Sequence, residues 1–339
     1  MPQISQVHID VALTELSIMY MNEELIGDTV APVLPVQKRS DKYFVYSKDA
    51  FLRSSGADAN GKPKSIRRPG TEAATVDFSL STDNYYAEEL SLKSLVTDAE
   101  LAYADNPLQP DIDATYLVTE RIKLDNEVAV AQMVGNLGNY PTAGKVVLTT
   151  GGTGTSWAQY ASANSHPFSD IKNGKVYVKK NIQREANTMM LTIDVARTLA
   201  DHPDYKDQYK YTNPDGLTLA GLVKNVRGLD IVEGAQQQSN NAEGTAFSGG
   251  NVWVDSTGYN MALIYYRSSN VGPRSVHSFR TFEAPDDTTG VRGFNVRRYR
   301  WEILKGQFIE GSVLRTWKAI AVDGAGKING AYAISHADA

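Results

Sequence analysis

Cysteine is absent from the 339 residues. Its absence excludes disulfide staples, thiolate zinc sites and cysteine nucleophiles together, and it suits synthesis in a reducing cytoplasm. No run of about 18 or more apolar residues occurs, so no membrane-spanning helix is expected. Met1-Pro2-Gln3-Ile4-Ser5 offers neither the basic stretch nor the apolar core of a secretory leader. Positive charge is also in short supply: 34 Lys+Arg against 39 Asp+Glu leave a net −5. That is a poor balance for a protein that coats nucleic acid, because such binding relies on cations neutralising phosphates. What is present is ordinary, with 42% apolar and 22% charged residues, which excludes wholesale disorder. A chain of this length buries roughly 75% of its unfolded surface, enough for one large core or two smaller ones.

Residues 1–41 carry short apolar clusters broken by polar ones. Asn22 to Gly27 reads as a turn of helix ended by the glycine, and Ala31 to Val36, with Pro32 and Pro35, must run extended. Such a segment buries little by itself and reads as an arm lying on something else. Tyr43–Leu52 and Thr75–Ser81 alternate with period 2 and read as strands, Val76, Phe78 and Leu80 pointing one way. Between them, residues 53–70 are polar, punctuated by Gly and Pro, and basic at Lys62, Lys64, Arg67 and Arg68. That composition marks an exposed hairpin tip.

Thr97-Asp98-Ala99-Glu100 has the form of a capping box and should start a short helix. A second helix is expected from Pro110, a favourable first-turn proline, to Val134, with Gly135 as its stop. Leu117, Leu124, Val128 and Ala131 form one apolar stripe, and Val118, Ile122, Ala129 and Met133 a second. Thr119, Glu120, Lys123, Asn126 and Glu127 fall on the polar face. A helix of about 25 residues with two apolar sides is a structural spine roughly 37 Å long.

Further helices are expected over Ser169–Ala186, weakened by Asn173-Gly174, over Ile193–Ala200 and over Leu217–Val223. Strands are expected at Thr188–Leu191, Leu229–Val232, Val252–Val254 and Met261–Tyr266. Val276–Phe282 and Val291–Leu304 read as one long hairpin carrying Arg292, Arg297, Arg298 and Arg300, and Val313–Val322 alternates again.

Signatures of catalysis are missing. Gly151-Gly152-Thr153-Gly154 lacks the lysine of a phosphate loop, and Gly324-Ala325-Gly326-Lys327 is followed by Ile328 where Ser or Thr would bind Mg²⁺, so both read as turns. His8, His166, His202, His277 and His336 are scattered, with no helical His pair to grip a metal. Asp201-His202-Pro203-Asp204 reads as a helix terminus with a turn, and no Gly-x-Ser-x-Gly elbow occurs. We expect no enzyme and no cofactor or metal.

Several segments, in order along the chain, resemble the tailed-phage major capsid proteins of the Hong Kong 97 type, in particular the capsid protein E family. They are Ile26–Val36 leading into Ser40–Tyr46, Arg67-Arg68-Pro69-Gly70-Thr71-Glu72-Ala73, Asn187–Leu191, His202-Pro203-Asp204 and Lys210-Tyr211-Thr212. The resemblance implies an α+β fold with an N-terminal arm (1–41), an extended β-hairpin loop (42–93), a peripheral domain with the spine helix (94–140 and 275–312) and an axial domain (141–274 and 313–339).

It also implies a virion protein, made and assembled in the bacterial cytoplasm, that forms hexamers and pentamers of an icosahedral shell around double-stranded DNA. Its expected partners are copies of itself, a portal and a separate scaffolding protein, a decoration protein being left open, with only weak, non-specific contact to packaged DNA and none to membrane. Arg67, Arg68, Arg297, Arg298 and Arg300 are the candidate subunit-interface residues, since guanidinium groups fork onto carboxylates and keep their charge. Two other classes stay open: a β-rich tail or decoration protein, and a carboxylate-based hydrolase.

Overall fold

The computed structural model describes residues 24–46, 54, 56, 61–67, 69–77, 80–104, 108–149, 154–209, 225–239, 241–242, 245–270, 275–287, 290 and 292–338. In chain order it begins with a single helical turn α1 (Gly27–Val30), followed by strands β1 (Val33–Pro35), β2 (Ser40–Tyr46), β3 (Leu80–Tyr86) and β4 (Glu88–Thr97). Helices α2 (Asp98–Tyr103) and α3 (Pro110–Gly135) come next, then β5 (Lys145–Val147), α4 (Pro167–Ile182), β6 (Thr188–Thr192), α5 (Ile193–Asp201) and α6 (Pro203–Tyr209). The remainder is β7 (Asn225–Val226), β8 (Leu229–Gly234), β9 (Gln237–Gln238), β10 (Gly250–Asn251), β11 (Met261–Tyr265), β12 (Phe279–Ala284), β13 (Asn295–Trp301), β14 (Gly306–Ala319) and β15 (Ala331–Ser335).

The axial sheet has six strands in the order β5-β15-β11-β6-β8-β7. Every residue of β6, β11 and β15 is buried, because both faces of the sheet are covered. Period 2 divides them. Met189, Leu191, Ala262, Ile264 and Ile334 pack with Ile171 and Val178 of α4 and Val195 and Leu199 of α5. Met190, Met261, Leu263, Tyr265 and Ala333 point the other way, toward Val130, Ala131 and Val134 of α3 and the indole of Trp253. Helix α4 continues through Asn173-Gly174. A Cβ at Gly174 would lie 2.8 Å from Ile264 and 2.9 Å from Tyr332, so the glycine there is what lets the helix approach the sheet.

The spine helix α3 starts with Pro110 at its first turn and runs 26 residues, and Thr97 and Glu100 form the capping box of α2. Its C-terminal half covers the axial sheet and its N-terminal half the peripheral sheet. The peripheral sheet is organised by β14, whose first half pairs with β13 on one edge while β4 runs along the other. Its second half pairs with β12, and β12 in turn holds β1 in parallel.

Several expectations need correction. Residues 276–282 and 291–304 do not form a hairpin with each other. Their strands β12 and β13 lie end to end along one edge of β14, and the true hairpin is β13–β14, turned through Glu302–Leu304 and Lys305 at φ 45°. The reason is length: β14 has 14 residues and can serve two short partners in sequence. The strand placed at 75–81 starts instead at Leu80, because Ser40↔Tyr86 and Tyr46↔Leu80 fix its register against β2. Val76 is 81% exposed outside it. Gly27 opens the helical turn of the arm and does not end one.

Val252–Val254 is irregular around the buried Trp253, with a single bridge from Val254 to Asn260. The helix expected over 217–223 lies outside the described residues. Strand β14 runs unbroken through 312–313, where the resemblance implies a boundary between the peripheral and axial domains.

Candidate assembly surfaces

Two buried histidines, His202 and His277, serve the fold. His202 caps the end of α5, its Nδ1 accepting from the Asp204 amide at 3.1 Å and its Nε2 3.2 Å from the Ser165 hydroxyl. His277 is buried with Nε2 3.2 Å from the Asn270 carbonyl. Burial lowers the pKa of both, against the attraction of Asp204 at His202 and with added repulsion from Arg280 at His277. The loop at 323–327 is a side-chain-closed turn in which Asp323 Oδ1 accepts from the amides of Ala325 and Lys327. Of the glycine-rich segment at 151–154 only Gly154, at φ 92°, lies within the described residues. Among the described residues no three His, Asp or Glu side chains converge as a metal site.

Of the five arginines singled out, Arg68 lies outside the described residues. Arg67 sits in the exposed hairpin tip and donates to the Thr71 carbonyl at 2.5 Å. The three on β13 each meet an acid of their own chain. Arg297 reaches the buried Asp286 at 2.5 Å, and Arg298 reaches Asp111 in the first turn of the spine helix at 3.2 Å. Arg300 forks onto Asp98 at 3.0 and 2.8 Å and also meets Glu302 at 2.7 Å. The Arg300 hydrogen bonds hold the Asp98 carboxyl below the usual range. These pairs fasten the starts of α2 and α3 to β13, and all three guanidinium groups remain more than a third exposed.

Beside them the end of the peripheral sheet is apolar and uncovered. Ile303 is 84% exposed and Tyr103 85%, with Trp301, Leu304 and Leu101 also exposed around the β13–β14 turn and α2. A groove of about 880 Å³ separates the base of the β2–β3 ribbon from β12, walled by Tyr43, Tyr85, Val36, Phe282, His277 and Ile320. Isolated chains rarely leave a cluster of large apolar side chains such as that at the β13–β14 turn open to water unless something binds it.

A polar junction escaped the sequence reading, which placed Asn126 and Glu127 on the solvent face. Both are buried, Glu127 at 1% exposure. Glu127 Oε1 accepts from the Ile26 amide at 3.0 Å and from Trp253 Nε1 at 2.8 Å, and Oε2 accepts from the Gly27 amide at 2.6 Å. Burial raises the Glu127 carboxyl above the ordinary glutamate value against the pull of these donors. Alongside, Asn126 accepts from Trp317 at 2.9 Å and donates to Asp28 at 3.3 Å. Arg315 forks onto Glu283 at 2.9 and 2.7 Å and reaches Asp28 at 3.2 Å. The available signal was spacing: Asn126 falls four residues from both Ile122 and Val130, on a line that is otherwise apolar and buried.

A long helix shared by a doubly covered axial sheet and a one-sided peripheral sheet, with a β-ribbon and an arm segment packed on the body, is the architecture of the Hong Kong 97-type capsid fold. Solved structures agree. A phage-related protein from Bordetella bronchiseptica RB50 superposes with TM-score 0.64 at 23% identity, covering 94% of each chain. The capsid of cyanophage P-SCSP1u superposes with TM-score 0.62 at 12% identity, covering 98% of this chain and 93% of that one.

No known family profile matches the chain. Its curated relatives are phage major capsid proteins. That of Burkholderia phage BcepMu is 27% identical over 227 residues, 67% of this chain and 68% of the relative. That of Pseudomonas phage JBD67 is 26% identical over 227 residues, 66% and 67% respectively.

Proposed function

We propose that this chain is the major capsid protein of a tailed bacteriophage, forming hexamers and pentamers of an icosahedral shell around double-stranded DNA. The observation that carries the reading is the similarity to phage major capsid proteins across two thirds of the chain, on a fold matched along nearly its whole length by a phage capsid. The uncovered apolar end of the peripheral sheet supports it, since a shell subunit must keep such surface for its neighbours. Contacts repeated around rotation axes close into rings and then into a shell.

The role is structural and not catalytic, in keeping with relatives that are capsid proteins. The chain is made in the host cytoplasm and ends in the virion, and its further partners are a portal and a scaffolding protein. With a net charge of −5 its contact with packaged DNA is weak and non-specific. Arg67, Arg68, Arg297, Arg298 and Arg300 contribute to the seams between subunits, where a guanidinium group can fork onto a neighbour's carboxylate.

Gradient sedimentation and negative-stain microscopy of the purified full-length chain test the reading. Closed shells, or rings of five and six, are expected, and a stable monomer at high concentration would overturn it.

A further inference from the structure

Three segments distant in sequence converge on the Glu127 carboxylate: the arm through the amides of Ile26 and Gly27, the spine helix that carries it, and the axial loop through Trp253 Nε1. All three partners are donors. A carboxylate, which only accepts, satisfies them at once, whereas a carboxamide would turn an N–H toward another N–H. The site also gives Gly27 a role. A Cβ at residue 27 would stand 2.6 Å from Glu127 Oε2, so a larger residue there would push the carboxylate off the arm amides. Oε1 is shared by the arm amide and the indole, so a shift of the axial loop moves an atom that the arm also holds.

We propose that Glu127 is a latch that positions the N-terminal arm and couples its hold to the axial domain through Trp253. The latch is distinct from the packing around it. Ile26, Val30 and Ala31 insert into the core whichever acceptor is present, but only the acceptor pins the backbone amides of Ile26 and Gly27 to the spine helix. The Asp28–Arg315–Glu283 chain then holds the following turn against β14 and β12.

The test uses the full-length subunit under non-assembling conditions, reading hydrogen exchange at the Ile26 and Gly27 amides beside the melting temperature. E127Q, nearly the same shape, should speed exchange at those two amides at least tenfold while amides of the axial sheet stay protected. W253F should speed the same two amides about threefold in the native background and have no further effect on them in E127Q. If E127Q itself fails to fold, G27A with Glu127 intact supplies the second reading and should speed the Ile26 amide by a similar factor. Unchanged protection at residues 26 and 27 in E127Q, or in G27A where that variant must stand in, would overturn the latch. Equal effects of W253F with and without Glu127 would overturn the coupling, since the indole would then act through packing alone.

Discussion

The axial and peripheral sheets of this chain are built from similar strands yet stand in opposite conditions. In the axial sheet β6, β11 and β15 have every residue buried, with α4 and α5 on one face and the end of the spine helix on the other. In the peripheral sheet β13 alternates between half-buried and exposed, β4 buries Val96 alone, and the turn joining β13 to β14 leaves Ile303 in water. One half of the molecule is finished as a monomer. The other ties β13 to the helix starts through ion pairs and leaves large apolar side chains in water, which is the condition expected of a subunit that meets neighbours.

That contrast predicts a hierarchy of effects on the isolated subunit. The largest belongs to the axial core. Leu263 is fully buried and opposes Met190 and Ala333 across the sheet. Leu263→Ala should cost about 2–5 kcal/mol in chemical denaturation, the usual range for a leucine removed from a packed interior. A loss below about 1 kcal/mol would mean that the axial sheet is less closed than its burial indicates.

Next in size is a dependence on pH. His202 and His277 are held neutral by burial, with Asp204 and His166 facing the first and Arg280 and Arg267 the second. Each therefore binds fewer protons folded than unfolded below the unfolded pKa of about 6.5. Stability should be complete above that pH and fall as the pH drops through 6.5 toward the lowered folded values. The slope is at most about 1.4 kcal/mol per pH unit for each group. Denaturant midpoints at pH 7.5 and 5.5 measure it, and H202Q with H277Q should flatten the difference. A subunit equally stable at both values would place these rings in contact with water.

The parts of this contrast that were legible in the sequence are those written locally. Pro110 and the Thr97–Glu100 capping box announce helix starts through bonds spanning three or four residues, and the structure keeps both. Pairing between strands is not local. Nothing within 276–304 reveals that β12 and β13 share an edge of β14, since the partner lies beyond both. The same holds for β3, whose start is set by residues 40–46 and not by its own alternation. Glu127 was unreadable for the same reason, because its donors lie about 100 residues before it and 126 after it.

Surface changes on the peripheral side should reverse the order of consequences. Tyr103 and Ile303 touch little in the subunit, so replacing both by Ser should leave its stability within about 0.5 kcal/mol. Shell yield should fall at least severalfold, since the lost contact recurs at every equivalent position. Normal shells from this variant would show that the apolar end faces solvent in the assembly, and the comparison between the two sheets would lose its functional meaning.

The smallest effect on the subunit is expected at the hairpin tip. The contact described for Arg67 is the Thr71 carbonyl four residues away, within the same exposed segment. Arg67→Ala with Arg68→Ala should therefore move the monomer melting temperature by no more than about 1 °C. Arg297→Ala is the control. Its partner Asp286 is buried, and weakening the pairing of a carboxylate in such a place costs more than losing an exposed contact. The control should lower the monomer melting temperature clearly, whatever happens to shells. If the tip arginines serve the seams, their loss appears only in assembled particles, as dissociation on dilution that worsens with added salt, because exposed ion pairs are screened. A crippled monomer with normal shells would make Arg67 and Arg68 internal residues of the fold, and the hairpin tip would then belong with the axial core on the finished side of the molecule.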